Sequence, residues 1–507
     1  MTSVGIGPKG KETISKHKLN KPCPLPKKAH FSFAPSHYPS IISSIMRTEK
    51  DSMGIMEVPE NALYGASTQR AVLNFPISHR PLPDGFIRGL GLVKLACAKA
   101  NEKLGKLSPD KSKLIQEAAR EIANGKLTAH FPVDVFQTGS GTSTNMNANE
   151  VISNRICQIT GNPVGSKKPI HPNDDVNMSQ SSNDIIPTTL HVSVAVSLKD
   201  HLRPALQHLH EALDNKAKTF AHIVKIGRTH LMDATPLTLG QEFSGYAAQT
   251  AKGMERVDKA IAALSELAIG GTAVGTGINT VPGFSAAVIS ILNEETGLNF
   301  SEARNHFEAQ AGRDDAVEVA GHLSTIAASL TKIANDIRLL GSGPRSGLGE
   351  IRLPATQPGS SIMPGKVNPV MSEMLVQASI YVQGLSQVVA MCGRDGHFEL
   401  NVTIPLIAQS LHESIHILGN AARQFADACI VGLEADEARC KELVDRSLML
   451  VTALNPYIGY DNAAAVAKEA LATGKTLKEV VLAKGLMKSE ELDKALEPLS
   501  MTHPGKQ

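Results

Sequence analysis

Near the middle of the chain, apolar residues recur at alternating intervals of three and four positions. This repeat restricts the possible folds more than any other part of the sequence. The repeating residues are Leu323, Ile326, Leu330, Ile333, Ile337 and Leu340. Such spacing places them in one narrow seam along a helix, as in helical bundles. Glycine and proline at positions 341–344 then end the pattern. We therefore predict a long bundle helix, and a seam this narrow often marks packing between subunits.

Two other long apolar patterns indicate the same architecture. One runs from Val194 to Leu213, where Pro204 is expected to kink the helix. The other begins near Leu237 and continues past Val257. Aromatic residues make up only 4% of the chain and Trp is absent, which favours packed helices over an aromatic-rich sheet. Strand patterns are short, and no glycine-rich strand–turn–helix unit indicates a dinucleotide fold. We predict a mainly α protein.

The first 46 residues differ from the rest of the chain. They contain seven Lys, six Pro, one acidic residue (Glu12) and no Arg. We predict that this basic extension is disordered, because it has too few apolar residues to bury. Mitochondrial presequences are usually amphipathic and rich in Arg. We therefore expect a cytoplasmic protein, with the mitochondrial matrix as the less favoured alternative.

Composition and cysteine spacing argue against several functional classes. A net charge of +2 gives no reason to expect nucleic acid or a membrane as partner. No uninterrupted apolar run approaches the roughly 18 residues of a membrane span. The six cysteines, at positions 23, 97, 157, 392, 429 and 440, form no CxxC pair or comparable cluster. Their spacing predicts neither zinc nor an iron–sulfur centre, and we expect no cofactor and no metal.

Two polar segments precede predicted helices and are suited to binding carboxylates. Residues 137–150 read QTGSGTSTNMNANE, and residues 171–184 read HPNDDVNMSQSSND. Free backbone N–H groups and hydroxyls at the start of a helix bind anions well. Gly139 and Gly141 are expected to let the backbone approach a ligand closely. The alternatives are an ordinary helix cap for the first segment and a polar surface turn for the second.

Two further polar segments contain candidate acid–base groups. Residues 227–236 read GRTHLMDATP, and residues 359–369 read GSSIMPGKVNP. We place His230 in a loop leading into the third helix. A lone histidine is usually structural, but histidine is also the commonest general acid or base. The other segment combines two hydroxyls with Lys366 and Asn368, without the spacing of a phosphate-binding P-loop.

The segment GSSIMPGKVNP resembles the signature of the aspartase/fumarase superfamily. The other three segments resemble the remaining conserved blocks of class II fumarases, the metal-free kind. The similarity extends from about Met46 to Lys494. It implies a three-domain lyase with domains at residues 47–178, 179–437 and 438–507, after the extension at 1–46. It also implies a homotetramer with a central long-helix bundle, in which three subunits build each active site, and fumarate and L-malate as substrates in the tricarboxylic acid cycle.

The resemblance also implies roles for individual residues. Ser360 would be the base for the C3 proton of malate, and His230 would activate water on the opposite face. Glu373 would support His230, and Lys366 would stabilise the dianionic carboxylate as it forms. Substrate contacts are implied for Ser140, Gly141, Thr142, Ser181, Ser182, Asn183, Thr229, Ser361, Lys366, Val367 and Asn368. A second carboxylate site (the B site of the family) is implied at His171, Pro172, Asn173 and Asp174.

Two other functions remain as alternatives. The first is an aspartate ammonia-lyase, but those enzymes carry Gln in place of His230 and Ala in place of Gly365. The second is a non-catalytic structural relative, which should have lost Ser360, His230 or Lys366. All three are present. The chain departs from the family at Thr403 and Ile404, where an aromatic and a basic residue are usual.

Overall fold

The structure is a computed structural model that describes residues 45–504. These residues form seventeen α-helices: α1 Ala66–Asn74, α2 Asp84–Lys103, α3 Pro109–Ala123, α4 Thr142–Thr160, α5 Ser182–Ser197, α6 Arg203–Thr219, α7 Leu239–Ala263, α8 Phe284–Thr296, α9 His306–Ala311, α10 Asp314–Leu340, α11 Val370–Arg394, α12 Ile404–Phe425, α13 Glu437–Arg446, α14 Asn455–Ile458, α15 Tyr460–Thr473, α16 Leu477–Ala483 and α17 Ser489–Ala495. Three π-helical segments occur at Pro172–Val176, Leu198–Leu202 and Ala426–Ile430, and three 3₁₀ segments at Thr128–His130, Leu448–Leu454 and Pro498–Thr502.

The strands in this part of the chain are short and form two-stranded sheets. They are β1 Met46–Asp51, β2 Gly54–Pro59, β3 Val224–Thr229, β4 Met232–Thr238, β5 Glu266–Leu267, β6 Ser301–Glu302, β7 Ile351–Arg352, β8 Gly396–His397, β9 Leu400–Asn401 and β10 Glu434–Ala435. Isolated strand pairs of this size cannot bury a core alone. The core is helical, and the predicted mainly α fold is confirmed.

The predicted seam lies along α10, the longest helix of the described residues. All six apolar residues of the repeat are at most 4% exposed, and α10 packs against α7 and α11. The helix begins nine positions before the seam, at Asp314, and ends at Leu340 as the glycine and proline residues predict. The third predicted helix corresponds to α7. Both predicted helices are confirmed, because a buried stripe on a helix leaves a clear period in the sequence. The seam of α10 is already buried within a single chain, so it does not itself mark packing between subunits.

The second predicted helix is a nearly continuous helical run. It consists of α5, the π-helical segment Leu198–Leu202 and α6, and it packs against α7 and α12. Pro204 lies in the first turn of α6. Proline has no N–H to donate, and the regular α-helical pattern gives way to the wider π turn just before it.

Helix α11 lies between α10 and α12 and carries two different faces. Leu375, Val382 and Val389 are buried against the bundle, whereas Ile380 and Met391 are 59% and 56% exposed. Within residues 45–504, this helix alone is long and apolar enough to cross a membrane by length and composition. Its buried face packs in the core of the bundle.

A second, smaller apolar core joins the C-terminal helices. It contains Val444, Leu454, Val466 and Val480, together with Ile226 of β3. The proposed division into three domains remains a prediction. The predicted extension at 1–46 lies outside the described residues, except for Ile45 and Met46. Met46 is the first residue of β1, where it pairs with Pro59.

Candidate active site

The packing directions of the long helices decide where the four polar segments lie. Tyr246, near the start of α7, donates a hydrogen bond to Asp336 near the end of α10 (3.1 Å). Ser386, near the end of α11, donates to the carbonyl of Ala320 near the start of α10 (3.0 Å). These neighbours are therefore antiparallel. We call the end of the bundle at which α5 begins the upper end, and the end at which α6 finishes the lower end.

The first polar segment forms the N-terminus of α4. Gly141 is the N-cap residue and has a left-handed conformation (φ 74°), which glycine adopts easily. The hydroxyls of Ser140 and Thr142 are hydrogen-bonded to each other (2.7 Å). A Cβ atom at Gly139 would lie 1.7 Å from the carbonyl oxygen of Val402. At Gly139, therefore, the close approach that we predicted for a ligand is made by the protein's own backbone.

The second segment forms the N-terminus of α5. Ser181 caps the helix in a capping box with Asp184. Asp184 is fully buried and accepts hydrogen bonds from the N–H groups of Gly270 and Thr272 (both 3.0 Å). Burial raises the pKa of Asp184 to about 6. Asn183 donates to the carbonyl of Ala273 (2.7 Å), so the start of α5 is held against the loop that follows α7.

These two segments meet at the upper end. The amide of Asn145 donates a hydrogen bond to the hydroxyl of Ser182 (3.0 Å). A Cβ atom at Gly141 would lie 2.8 Å from the side chain of Ile186, which shows how closely the two helix starts approach. Two helix N-termini, both with hydroxyl side chains, create a region of positive potential lined with donors. This arrangement suits a carboxylate.

His230 lies at the tip of the hairpin formed by β3 and β4. Thr229 pairs with Met232, and the two residues between them, His230 and Leu231, have φ angles of 55° and 63°. Positive φ at both central positions is typical of a type I′ turn, whose twist matches that of the strands. The prediction that His230 lies in a loop leading into α7 is therefore wrong, because His230 lies in a β-hairpin. The strands have only six and seven residues, too few for their alternation to stand out in the sequence.

The hairpin tip is exposed and its base is tightly bound. Leu231 and Met232 are 74% and 69% exposed, and the side chains of Thr229 and His230 are exposed as well. At the base, Arg228 forms an ion pair with Glu350 (3.0 Å), which is fully buried. The ammonium of Lys225 lies 3.4 Å from the same carboxylate. The hairpin is thus tied to the chain segment that precedes the signature loop.

The signature loop, residues 359–369, closes on itself before α11. The N–H of Gly359 donates to the carbonyl of Lys366 (2.9 Å), and the side chain of Asn368 donates to the carbonyl of Gly359 (2.7 Å). The hydroxyl oxygen of Ser360 accepts hydrogen bonds from the N–H groups of Ile362 (3.3 Å) and Met363 (3.0 Å). The loop therefore presents a serine oxygen that accepts two backbone hydrogen bonds.

The other predicted residues of this segment line its outer surface. The side chains of Ser361, Lys366 and Val367 are exposed, and Glu373 is half-buried in the first turn of α11. Among the described residues, no hydrogen bond or ion pair joins His230 to Glu373 or to Ser360. The pairing of His230 with Glu373 that the resemblance implies is not present within one chain.

The four segments divide between the two ends of the bundle. The helical run from Ser182 to Thr219 consists of 16, 5 and 17 residues. At about 1.5 Å per residue it is roughly 55 Å long. The starts of α4 and α5 lie at its upper end. The His230 hairpin follows its lower end, and the signature loop lies there too, because it connects the end of α10 to the start of α11.

The predicted second carboxylate site lies at the N-terminus of the π-helical segment Pro172–Val176. His171 is its N-cap residue, and its Nδ1 atom accepts hydrogen bonds from the N–H groups of Asn173 (3.3 Å) and Asp174 (3.2 Å). The side chains of Asn173 and Asp174 are exposed. A cleft of about 350 Å³ adjoins this turn, lined by residues that include Pro172, Asn173 and Lys167.

Sequence reasoning missed three polar residues behind the upper end. Asn145 and Asn177 lie inside the quoted segments but were not singled out, and Lys94 lies in α2. The available signal was the single lysine within the apolar run LGLVKLACA at residues 90–98. Elsewhere in residues 45–504, no group of three or more His, Cys, Asp or Glu is placed to hold a metal ion.

Comparisons with known proteins bear on this site. A lyase family matches residues 54–384, and the C-terminus of fumarase C matches residues 450–503. The chain is 53% identical to the fumarate hydratase class II of Mesorhizobium japonicum over 459 residues, which cover 90% of this chain and 99% of that protein. This chain belongs to the class II fumarase family.

Other class II fumarases and related enzymes agree with this assignment. The mitochondrial fumarate hydratase of Rattus norvegicus is 50% identical, with 90% of each protein covered. The class II fumarase of Schistosoma mansoni has the same fold, with a TM-score of 0.88 and 39% identity over 91% of this chain and all of that one. The protein is therefore an enzyme of the lyase class, and the sequence-based recognition of the family is confirmed.

Proposed function

We propose that this lyase is a fumarate hydratase, which adds water reversibly across the double bond of fumarate to give L-malate in the tricarboxylic acid cycle. One observation carries the mechanism: the hydroxyl oxygen of Ser360 accepts hydrogen bonds from two backbone N–H groups. A serine hydroxyl is a weak base unless its alkoxide is stabilised. Donors aimed at the oxygen favour its charged form, so this loop suits Ser360 for proton transfer at C3.

The reaction follows from two groups acting on opposite faces of the substrate. In hydration, water attacks C2 of fumarate while His230 takes one of its protons. The electron pair of the double bond moves to C3, and its charge spreads into the neighbouring carboxylate. Ser360 then donates its proton to C3, and proton exchange with solvent restores both groups. In the reverse direction, the Ser360 alkoxide removes the C3 proton and protonated His230 donates a proton to the departing hydroxide.

Most of the rate enhancement requires stabilisation of the charged intermediate. Acid–base catalysis contributes roughly 10²–10⁴-fold, so fixed donors must supply much of the rest. Lys366 offers a full positive charge on the loop that carries Ser360. The starts of α4 and α5, with Thr142 and Asn183, offer backbone donors and hydroxyl or amide groups. We assign the remaining substrate contacts to the other residues that the resemblance implies: Ser140, Gly141, Ser181, Ser182, Thr229, Ser361, Val367 and Asn368.

The geometry supports a homotetramer with shared active sites. A helical run roughly 55 Å long lies between the start of α5 and the base of the His230 hairpin. The hairpin strands have six and seven residues and span only about 20 Å, and side chains reach only a few ångströms. One chain therefore cannot place Asn183 and His230 on the same substrate, and several copies must contribute. The exposed apolar side chains of Leu231, Met232 and Ile380 offer surfaces for such contacts. Within the tetramer, Glu373 of one copy would support His230 of another.

The substrate assignment distinguishes this proposal from its alternatives. Relatives at 50% identity or more are named fumarate hydratases, and His230 stands where aspartate ammonia-lyases carry Gln. The intact set of Ser360, His230 and Lys366 argues against a non-catalytic relative. For the second carboxylate site at His171, we propose binding of a substrate carboxylate near the entrance to the active site.

The proposed cellular location rests on the composition of residues 1–46 and not on the fold. One relative is bacterial and another is named mitochondrial. Residues 1–46 contain no Arg and six Pro, which is unlike a mitochondrial presequence. We propose a cytoplasmic location. Fusing residues 1–46 to a fluorescent protein tests it, since accumulation of the fusion in mitochondria would contradict the proposal.

The activity is tested first with the wild-type protein. We expect fumarate to be converted to L-malate, which is followed by the loss of ultraviolet absorbance from the double bond. We expect no ammonia from aspartate. Release of ammonia would identify an ammonia-lyase, and the absence of both activities would identify a structural relative.

The role of Ser360 is tested by isotope exchange. Ser360→Ala should lower turnover roughly 10²–10⁴-fold, and exchange of the malate C3 proton with deuterated water should fall equally. The matched control is Thr356→Ala, at an exposed threonine just before the signature loop, which should keep wild-type rates. Exchange at the normal rate in Ser360→Ala would mean that another residue is the base. Lys366→Ala should weaken binding of a dianionic intermediate analogue more than binding of fumarate.

A further inference from the structure

A buried lysine lies behind the helix starts at the upper end. Lys94, in the middle of α2, is 1% exposed. Its ammonium group donates to the side-chain oxygens of Asn177 (3.1 Å) and Gln180 (2.8 Å). A buried charge is costly unless it is paired. Among the described residues, no carboxylate lies within ion-pair distance of this ammonium, so neutral amide oxygens are its direct partners.

The hydrogen bonds of Asn177 connect Lys94 to the proposed substrate contacts. The side-chain oxygen of Asn177 also accepts hydrogen bonds from the amides of Asn145 (3.2 Å) and Asn149 (3.3 Å). Asn145 donates in turn to the hydroxyl of Ser182 (3.0 Å). Three residues thus form one continuous path from a buried cation to the start of α5: Lys94, Asn177 and Asn145.

This path sets the direction of each donor. An ammonium group can only donate, so the atom of Asn177 that faces Lys94 must be its oxygen. That oxygen requires Asn145 to present its NH₂ group, which then also points at Ser182. Because the Ser182 oxygen accepts this hydrogen bond, its own O–H is free to donate in another direction. A substrate carboxylate at the helix starts would receive it.

Two titratable groups affect the charge state of Lys94. Cys97, on the same helix, and Asp184, at the start of α5, are the titratable groups that act on it. Burial lowers the pKa of Lys94 to about 7, while Cys97 and Asp184 act in the opposite direction. A dianion bound nearby favours the protonated lysine. By linkage, substrate therefore binds more tightly to the protonated form.

We propose that Lys94 is a positioning residue for the dianionic substrate. Through Asn177 and Asn145 it sets the direction in which Ser182 donates, and its buried charge attracts the carboxylate held at the upper end. This inference rests on the proposed function, because it places the substrate carboxylate at Ser182. It assigns to α2 a part in substrate binding that neither the four polar segments nor their resemblance to class II fumarases implied.

The test compares Lys94→Met with Lys94→Gln. The first removes charge and hydrogen bonds, and the second keeps an amide donor without the charge. The matched control is Lys99→Met on the same helix, at a lysine that is half-buried and paired with Glu295 (2.9 Å). KM and kcat for fumarate and malate are measured with full-length protein between about pH 6 and 8.5, after gel filtration has confirmed the same assembly as wild type.

We expect both Lys94 variants to raise KM for fumarate roughly tenfold at pH 6, where wild-type Lys94 is charged. Turnover should change much less than KM. The ratio of Lys94→Gln KM to wild-type KM should fall towards one above about pH 8, because wild-type Lys94 is then neutral before substrate binds. Lys94→Met should keep a raised KM, because it has also lost the hydrogen bonds to Asn177 and Gln180. Lys99→Met should match wild type throughout. A purely structural role for Lys94 would not produce a KM ratio that changes with pH.

Each result decides between the possibilities. A KM within twofold of wild type at every pH in both variants, or a raised KM of Lys94→Gln whose ratio to wild type does not vary with pH, would overturn the proposal. If neither variant assembles, His230→Asn decides, because it lacks the proposed acid–base group that also titrates near neutral pH. A dissociation constant for fumarate that rises through pH 7 supports the proposal, and one that does not vary with pH refutes it. Failure of wild type to hydrate fumarate would instead remove the proposed function, so the two failures are distinguishable.

Discussion

Mixing two inactive variants tests whether separate chains complete each active site. His230→Asn removes the proposed acid–base group at the lower end of the bundle, and Asn183→Asp changes a proposed substrate contact at the upper end. His230→Asn should lower turnover roughly 10²–10⁴-fold through loss of general acid–base catalysis. Asn183→Asp places a negative charge beside a dianionic substrate, and repulsion of several kcal/mol should reduce activity at least about 100-fold. Each variant alone should therefore be nearly inactive.

The expected recovery follows from the geometry. In the proposed assembly, a site takes Asn183 from one chain and His230 from another, because a helical run roughly 55 Å long lies between them in a single chain. In an equal, random mixture, half of the chains have an intact upper end and half have an intact lower end. About a quarter of the sites then combine two intact ends, so activity should reach about a quarter of the wild-type value.

The assay uses co-expression of the two variants with different affinity tags. Sequential purification on both tags isolates mixed assemblies, whose rate of fumarate hydration is compared with each variant alone. The control mixes Asn183→Asp with Thr142→Asp. Both changes lie in the hydrogen-bonded pair of segments at the upper end of the same chain, so this mixture should stay inactive. If the first mixture also stays at the level of the single variants, one chain builds the whole site and the argument from helix length is wrong.

Three further predictions concern metal, the extension and acid stability. Activity should persist after exhaustive chelation in air, because the cysteine spacing predicts no iron centre; loss that iron restores would contradict this. A protein beginning at Met46, the first residue of β1, should assemble and turn over like the full chain, and dissociation on gel filtration would show that the extension belongs to the fold. Hydrogen bonds from Arg120 and Lys99 lower the pKa of Glu295 to about 2, so this group stabilises the folded protein above about pH 4.3 and loses that effect as pH falls towards 2. Glu295→Gln should therefore lower the free energy of unfolding by only about 1 kcal/mol near pH 7, since the ion pairs of Glu295 are partly exposed. Thermal unfolding measures this loss, and an equal loss at pH 2 would contradict the lowered pKa of Glu295.

Local sequence patterns predicted much of the helical architecture. The seam of α10 was read from its alternating spacing, and all six of its residues are buried. The polar segments were recognised by composition, and two of them form helix N-termini as expected. Such features depend on neighbours within a few turns of the same chain, so a single sequence contains them. The hairpin that carries His230 was missed, because two short strands are defined by pairing with each other rather than by a long repeat.

Only the tertiary structure decided how these pieces are arranged. The antiparallel order of the long helices places the signature loop at the same end of the bundle as the His230 hairpin, and no local pattern records the direction of a neighbouring helix. Lys94 shows the same limit, since its partners Asn177 and Gln180 lie more than eighty positions away in the chain. A charged residue in an apolar run signals a buried partner without identifying it. Contacts between distant segments depend on the packing of the whole core, and therefore appear only once the chain is folded.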